Sequence, residues 1–236
     1  MGTDERRQRE KAERRSLILE KANALILERG VATLSMQDLA DACELSKATL
    51  YLYFDSKEAL LADILDGAAR DFEGYVRARM PVDASGLEAI HALWISFLHL
   101  IGDREEIFVL MGVKNFVNPG FPLSPARAGP VADRQTVDGR ADPATERMLS
   151  LVTEILQAGI ADGSLRNDPD PEGLARSLIM IATSLIDTAT RVAREDRDLQ
   201  LLAGEMRRTF ELLLRGIAAV GSDPALLNLP FEIVGA

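Results

Sequence analysis

A chain of 236 residues with 47% hydrophobic composition is long enough to bury a real core, as one large or two small domains. A single cysteine excludes an internal disulfide framework, and the charged start MGTDERRQREKAERR excludes the apolar core of a signal peptide, so a cytoplasmic protein is expected. The formal net charge of −10 runs against the basic footprint of a nucleic-acid partner. Residues 1–60, however, hold 10 Lys+Arg against 11 Asp+Glu and leave most of the acid excess, 17 against 26, to the remainder.

From the N-terminus, Arg6, Arg7, Arg9, Lys11, Arg14 and Arg15 crowd one end of a helix whose apolar positions Leu17, Ile18, Ala22, Leu25 and Ile26 recur at helical spacing up to a stop at Gly30. Ser35 with Asp38 resembles a capping box and predicts a short helix to about Ala42. Ser46 caps a second short helix, Lys47 to Phe54. Asp55 with Glu58 opens a long helix that carries Leu60, Leu61, Ile64, Leu65 and Phe72 and stops near Pro81.

Beyond Pro81 the pattern stays helical. Ser85 with Glu88 starts one helix and Asp103 with Glu106 the next. The uncharged run Ala89 to Gly102 falls short of the roughly 20 apolar residues of a membrane span, so no membrane partner is expected. Between Asn118 and Pro143 the prolines and glycines exclude a continuous helix and predict a long, partly mobile loop. Helices resume at about 144–162, 171–194 and 198–220, punctuated by Gly163 and the Asp168 to Glu172 run. The fold class is therefore all-α, with no competing strand period. The expected division is residues 1–56 as an N-terminal helix-turn-helix domain and 57–236 as a second helical domain.

The informative stretch is SMQDLADACELSKATLYLYFDSKEALL from Ser35. Two helices this short cannot bury a face alone. Joined by a tight turn, they pack on the first helix through Leu39, Ala40, Leu45, Leu50 and Phe54, which makes a helix-turn-helix able to enter a major groove roughly 12 Å wide. Packing leaves Lys47, Ala48, Thr49, Tyr51 and Tyr53 free, groups suited to base edges and phosphates. Lys57, in the first turn of the next helix, adds a charge beside backbone N–H groups where a phosphate can bind. Cys43 reads as a small buried apolar residue rather than a redox sensor.

These residues resemble the TetR-type (AcrR-type) bacterial regulators: LSKATLYLYF followed by SKEALL is close to that family's signature, over about Arg14 to Leu65. The resemblance implies base contacts from Lys47, Ala48 and Thr49, phosphate contacts from Ser46, Tyr51, Tyr53 and Lys57, and Met36 and Gln37 near DNA. It also implies an all-helical fold, a homodimer built from the last two helices, a double-stranded DNA operator and a variable pocket for a small-molecule effector. One position departs: the turn residue that is usually Gly in the family is Glu44, where a positive φ is uncommon for any other residue.

The second domain carries no phosphate-cradling Gly loop, no CxxC pair and no Ser/His/Asp constellation. His91 and His99, eight residues apart on a helix, point about 80° apart, so neither a metal nor another cofactor is expected. Trp94, Phe97, Leu98, Phe108, Met111 and Phe116 are expected to form an apolar interior in which His91, His99 or Asn115 orients a ligand. The ligand set is thus His91, Trp94, Leu98, Phe108, Met111 and Asn115. Leu178, Ile179, Ile181, Leu185 and Ile186 on one late helix, with Leu201, Leu202, Phe210, Leu213, Leu214 and Ile217 on the other, cover more than one stripe and point to a two-fold interface. The resulting expectation is a dimeric, ligand-responsive repressor that binds and does not catalyse. The alternatives are a ligand-independent regulator or activator of the same fold, and an all-helical enzyme.

Overall fold

The computed structural model describes residues 3–103, 105–113, 143–190, 196 and 198–231. Over these residues the chain is helical: α1 (Thr3–Arg29), α2 (Met36–Ala42), α3 (Lys47–Tyr51), α4 (Lys57–Arg77), α5 (Gly86–Asp103), α6 (Glu105–Met111), α7 (Pro143–Asp162), α8 (Pro171–Thr190) and α9 (Leu199–Ile217), followed by a 3₁₀ turn at Pro224–Leu227. The expected loop at 118–143 lies outside the described residues except for Pro143, which opens α7 where its missing N–H costs nothing. The last residues of the 171–194 helix also lie outside them.

The helix starts follow cap chemistry. Ser35 Oγ accepts from the Asp38 N–H at 3.1 Å and donates to its carboxylate, and Ser46 Oγ accepts from the Thr49 N–H at 3.0 Å. Ser85 and Glu88 close the reciprocal box, the carboxylate accepting from the Ser85 N–H at 2.8 Å. Two starts differ from expectation. The cap of α4 is Ser56, whose hydroxyl accepts from the Ala59 N–H at 3.0 Å, because Ser56 rather than Asp55 adopts the extended backbone of a cap. Asp103, expected to open a helix, is the last residue of α5. Helix α3 also ends at Tyr51, three residues early, and the turn after it exposes Leu52 while bringing Phe54 back into the core.

One contiguous core runs from Ile18 of α1 to Leu229 beyond α9. Helix α4 buries Leu60, Leu61, Ile64, Leu65, Ala68, Ala69, Phe72 and Val76, a stripe long enough to serve the helix-turn-helix at one end and the larger bundle at the other. At the far side of that bundle α5 and α7 cross where both are glycine. A Cβ on Gly86 would lie 2.1 Å from Gly159 Cα, so only glycine permits this approach. Asp162 accepts from the Gly86 N–H at 2.8 Å and Ser164 Oγ from the Leu87 N–H at 3.0 Å, which ties the start of α5 to the end of α7.

Glu44 adopts φ 55°, the left-handed conformation that its place in the turn requires. Glu44→Gly is expected to raise folding stability by about 0.5–1 kcal/mol, the side chain's backbone strain outweighing glycine's entropy. Urea unfolding at equilibrium checks this, and an unchanged or lowered midpoint would show that the turn carries no strain there.

Candidate nucleic-acid interface and apolar cavity

Leu39, Ala40 and Leu50 are wholly buried and Phe54 nearly so, together with Ile18, Ala22 and Ile26 of α1. The turn between α2 and α3 is closed by the Leu45 N–H on the Ala40 carbonyl at 2.9 Å. Arg15 holds the far end: its guanidinium lies 4.6 Å from the Phe54 ring centroid and pairs with Asp63 of α4. Anchored this way, α3 turns Lys47 and Ala48 outward, exposes Ser46 beside them and leaves Tyr51 39% exposed. Thr49 is half-buried, its hydroxyl 2.7 Å from that of Ser46, and Tyr53 is half-buried against the core.

Of the two α2 residues expected near DNA, Gln37 is exposed, its amide donating to Asp41 at 2.9 Å. Met36 is 7% exposed and belongs to the core, because the turn of α2 that presents Gln37 points its neighbour inward. Lys57 has a role the sequence did not reveal. Its ammonium reaches back across 23 residues to donate to the Leu34 carbonyl at 2.5 Å, and lies 3.4 Å from that of Val31. These carbonyls belong to the chain between α1 and α2, so the start of α4 is fastened to the helix-turn-helix. Cys43 is buried, and desolvation pushes its thiol above the usual range, which keeps it protonated and unreactive near neutral pH.

In the bundle, α4, α5, α6, α7 and α8 surround an apolar cavity of about 60 Å³. Leu65, Ala69 and Phe72 of α4 line one wall, and Leu93, Trp94 and Phe97 of α5 another. Met111 closes it from α6, Ala144, Thr145, Met148 and Val152 from α7, and Leu178, Ile179, Ala182 and Thr183 from α8. Of the expected ligand residues, Trp94 and Met111 line it. Leu98 and Phe108 are core residues that do not, and Asn115 lies outside the described residues. His91 lies on another face of α5, where its Nε2 is 2.9 Å from the Asn228 carbonyl, and His99 is 5.3 Å from the Phe231 ring. The α7 and α8 walls were missed. Their signal was weak, a threonine interrupting each apolar stripe at 145 and 183.

Beside the cavity, charges bridge α4 to α7. Arg147 of α7 sits between Glu73, at 3.2 Å, and Asp66, at 3.5 Å, while Arg77 reaches Glu73 at 2.9 Å and Glu154 of α7 at 3.2 Å. Arg70 pairs with Asp66 from the next turn. Hydrogen bonding from Arg77 first, and then from Arg147, holds the Glu73 carboxyl below its usual range despite its partial burial. Among the described residues no cluster of His, Cys, Asp or Glu could hold a metal ion, and no helix is long and apolar enough to cross a membrane.

The sequence model of the family described as bacterial regulatory proteins, tetR family, matches residues 18–64, the segment from the α1 core to the middle of α4. The chain is similar to the HTH-type transcriptional repressor KstR2 of Rhodococcus jostii, at 30% identity over 69% of this chain and 72% of that protein. It is also similar to the HTH-type transcriptional regulator EthR of Mycobacterium tuberculosis, at 43% identity over 23% of this chain and 25% of that one. Among solved structures, a TetR-family transcriptional regulator from Pectobacterium atrosepticum superposes with a TM-score of 0.65 at 20% identity, covering 91% of this chain and 98% of that one. The ketosteroid transcriptional regulator KstR2 of Mycobacterium tuberculosis does so at 0.51 and 21%, covering 87% and 95%. At these identities the two structures speak for the fold.

The Lys57 contact carries its own test. Lys57→Met keeps the apolar stem and deletes the ammonium, so the free protein should lose about 1.5–3 kcal/mol of folding stability, the worth of a charged hydrogen bond to a carbonyl. Urea melts without DNA measure this, and an unchanged melt would mean that the amine contributes nothing to the fold.

Proposed function

The chain belongs to the tetR family of bacterial regulatory proteins, a DNA-binding regulator of transcription, and we propose that residues 1–56 read an operator while residues 57–236 dimerise and sense a small molecule. The observation that carries this reading is the pairing of an outward α3, with Lys47, Ala48 and Tyr51 at its surface, with an apolar cavity reached by the same α4 that is fastened behind α3. In this reading Lys47, Ala48 and Thr49 touch base edges, while Ser46, Tyr51, Tyr53, Gln37 and the remaining N–H of Lys57 hold phosphates. Repression is the direction favoured by relatives that are named repressors.

At about 60 Å³ the cavity is well below the roughly 300–1,000 Å³ of a pocket for a drug-sized ligand, so an effector of that size has to part its walls. Parting them moves α4, whose Leu65, Ala69 and Phe72 form one wall, and α4 carries the displacement to Lys57 and α3. An effector that binds the parted arrangement better lowers operator affinity by the ratio of its affinities for the two arrangements.

The dimer face proposed here differs from the full apolar set of the last two helices. Leu178, Ile186, Phe210 and Leu214 are core residues of their own chain. Outward on α9 runs a stripe of Leu201, Glu205, Arg208, Leu212 and Gly216 with Gly204 partly exposed among them, Leu201 being 60% and Leu212 67% exposed and open space lying beside both glycines. With Ile181 and Leu185 half-exposed on α8, this stripe is apolar enough at its ends and flat enough between them to take a second copy across a two-fold axis. A dimer presents two copies of α3 about 34 Å apart, the spacing of successive major grooves.

Selection of bound sequences from random duplex DNA tests the function, with half-sites about 10 base pairs apart as the expected yield and no enrichment as the refuting one. On the selected duplex, Lys47→Ala should change which base is preferred at one position of each half-site, by about 1–3 kcal/mol, whereas Tyr51→Phe should weaken all sequences alike. Equal weakening by both would reassign Lys47 to the backbone. Leu212→Arg should yield a folded monomer with weakened operator binding, read by sedimentation equilibrium alongside circular dichroism. A folded dimer from that variant would place the interface elsewhere.

A further inference from the structure

We propose that the effector is a neutral, largely apolar molecule carrying a carbonyl or ether oxygen, and that the indole N–H of Trp94 is the donor that anchors it. This rests on the reading of the cavity as the sensing site. Among the described residues none that lines the cavity is ionisable. Bringing a carboxylate, phosphate or ammonium against that lining costs several kcal/mol with no opposite charge in the described wall to balance it, which disfavours charged ligands there.

The polar atoms of the wall narrow the class further. The Thr183 hydroxyl proton is already directed at its own helix, 2.8 Å from the Ile179 carbonyl. Trp94 lines the cavity, its ring stacks on Phe210 with centroids 4.1 Å apart, and its Nε1 is buried with no hydrogen-bond partner. An indole N–H in the interior normally finds an acceptor. Leaving it without one lowers the stability of the unliganded protein, so a ligand oxygen that reaches Nε1 gains affinity by satisfying it. The stack on Phe210 fixes the ring plane and therefore where that oxygen has to sit.

Trp94 is the only tryptophan in the chain, so its emission reports on this site alone. N-phenyl-1-naphthylamine and 8-anilinonaphthalene-1-sulfonate share a skeleton and differ in one sulfonate. The neutral probe should accept energy from Trp94 in a saturable way, and the sulfonate should need at least tenfold more probe for half-saturation. Fluorenone and fluorene, competed against the neutral probe, isolate the acceptor. Fluorenone should displace it at about threefold to tenfold lower concentration in the wild type, and that preference should vanish in Trp94→Phe, read by the probe's own emission. Equal or tighter binding of the sulfonate overturns the ligand class while leaving the sensing cavity standing, because a ligand has still bound beside Trp94. Equal competition in the wild type, or a preference that survives Trp94→Phe, overturns the anchor. Failure of the neutral probe to bind at all removes both this inference and the cavity's sensing role. The wild-type comparisons stand whether or not the variant folds.

Discussion

Helix α4 has to bury one apolar stripe against two partners at once. Leu60, Leu61 and Ile64 lie at the end that meets the helix-turn-helix, and Phe72 and Val76 at the end that meets the bundle. A helix with an apolar face of this length cannot leave either partner without exposing several large side chains, each worth about 1.5–3 kcal/mol when buried. The helix-turn-helix and the larger bundle are therefore joined by hydrophobic burial as well as by the chain. Around that stripe the polar contacts are arranged at its margins: the Lys57 ammonium on the Leu34 carbonyl at one end, and the Arg147 and Arg77 pairs with Glu73 and Glu154 toward the other.

These margins differ in strength. The Lys57 contact is half-buried, a charged donor on a carbonyl, and resists salt. The ion pairs between α4 and α7 involve side chains that are partly exposed, Arg77 at 46% and Glu154 at 63%, so each one contributes little and is weakened by salt. Of these polar contacts the one at the α3 end is therefore the firmer, while hydrophobic burial from Leu60 to Val76 holds α4 along its whole length.

How much of this was legible in the sequence depended on the range of the interaction. Caps such as Ser35 with Asp38 and Ser46 with Thr49 act across three residues and could be read directly, whereas at Glu44 the sequence left the turn geometry open and the structure gives the left-handed conformation. The helix-turn-helix was legible because its core, Leu39, Leu50 and Phe54, lies within a few turns of sequence. The cavity was not. Its walls come from five helices, and an apolar residue facing a cavity looks the same in sequence as one facing a neighbour. Leu178 therefore read as an interface residue and Leu98 as a ligand contact. His91 was singled out for its chemistry, whereas its partner is a carbonyl 137 residues away. The Lys57 contact was hidden for another reason: a cation beside a helix start is as consistent with a phosphate as with a carbonyl, and only the folded path of residues 31–34 brings the Leu34 carbonyl within its reach.

The glycine crossing of α5 and α7 sets the geometry in which the bundle can deform. Gly86 and Gly159 are in backbone contact, with the Asp162 and Ser164 hydrogen bonds beside them, so this end of the helix pair acts as a fulcrum. From Gly159 back to Ala144 at the cavity, α7 runs about 22 Å at 1.5 Å per residue. Swinging about the fulcrum by about 5° displaces Ala144 by about 2 Å and hardly moves Gly159. An effector that parts the walls as proposed would therefore open the bundle like shears rather than swell it evenly, with the largest excursion at the first turns of α7, where Arg147 meets α4.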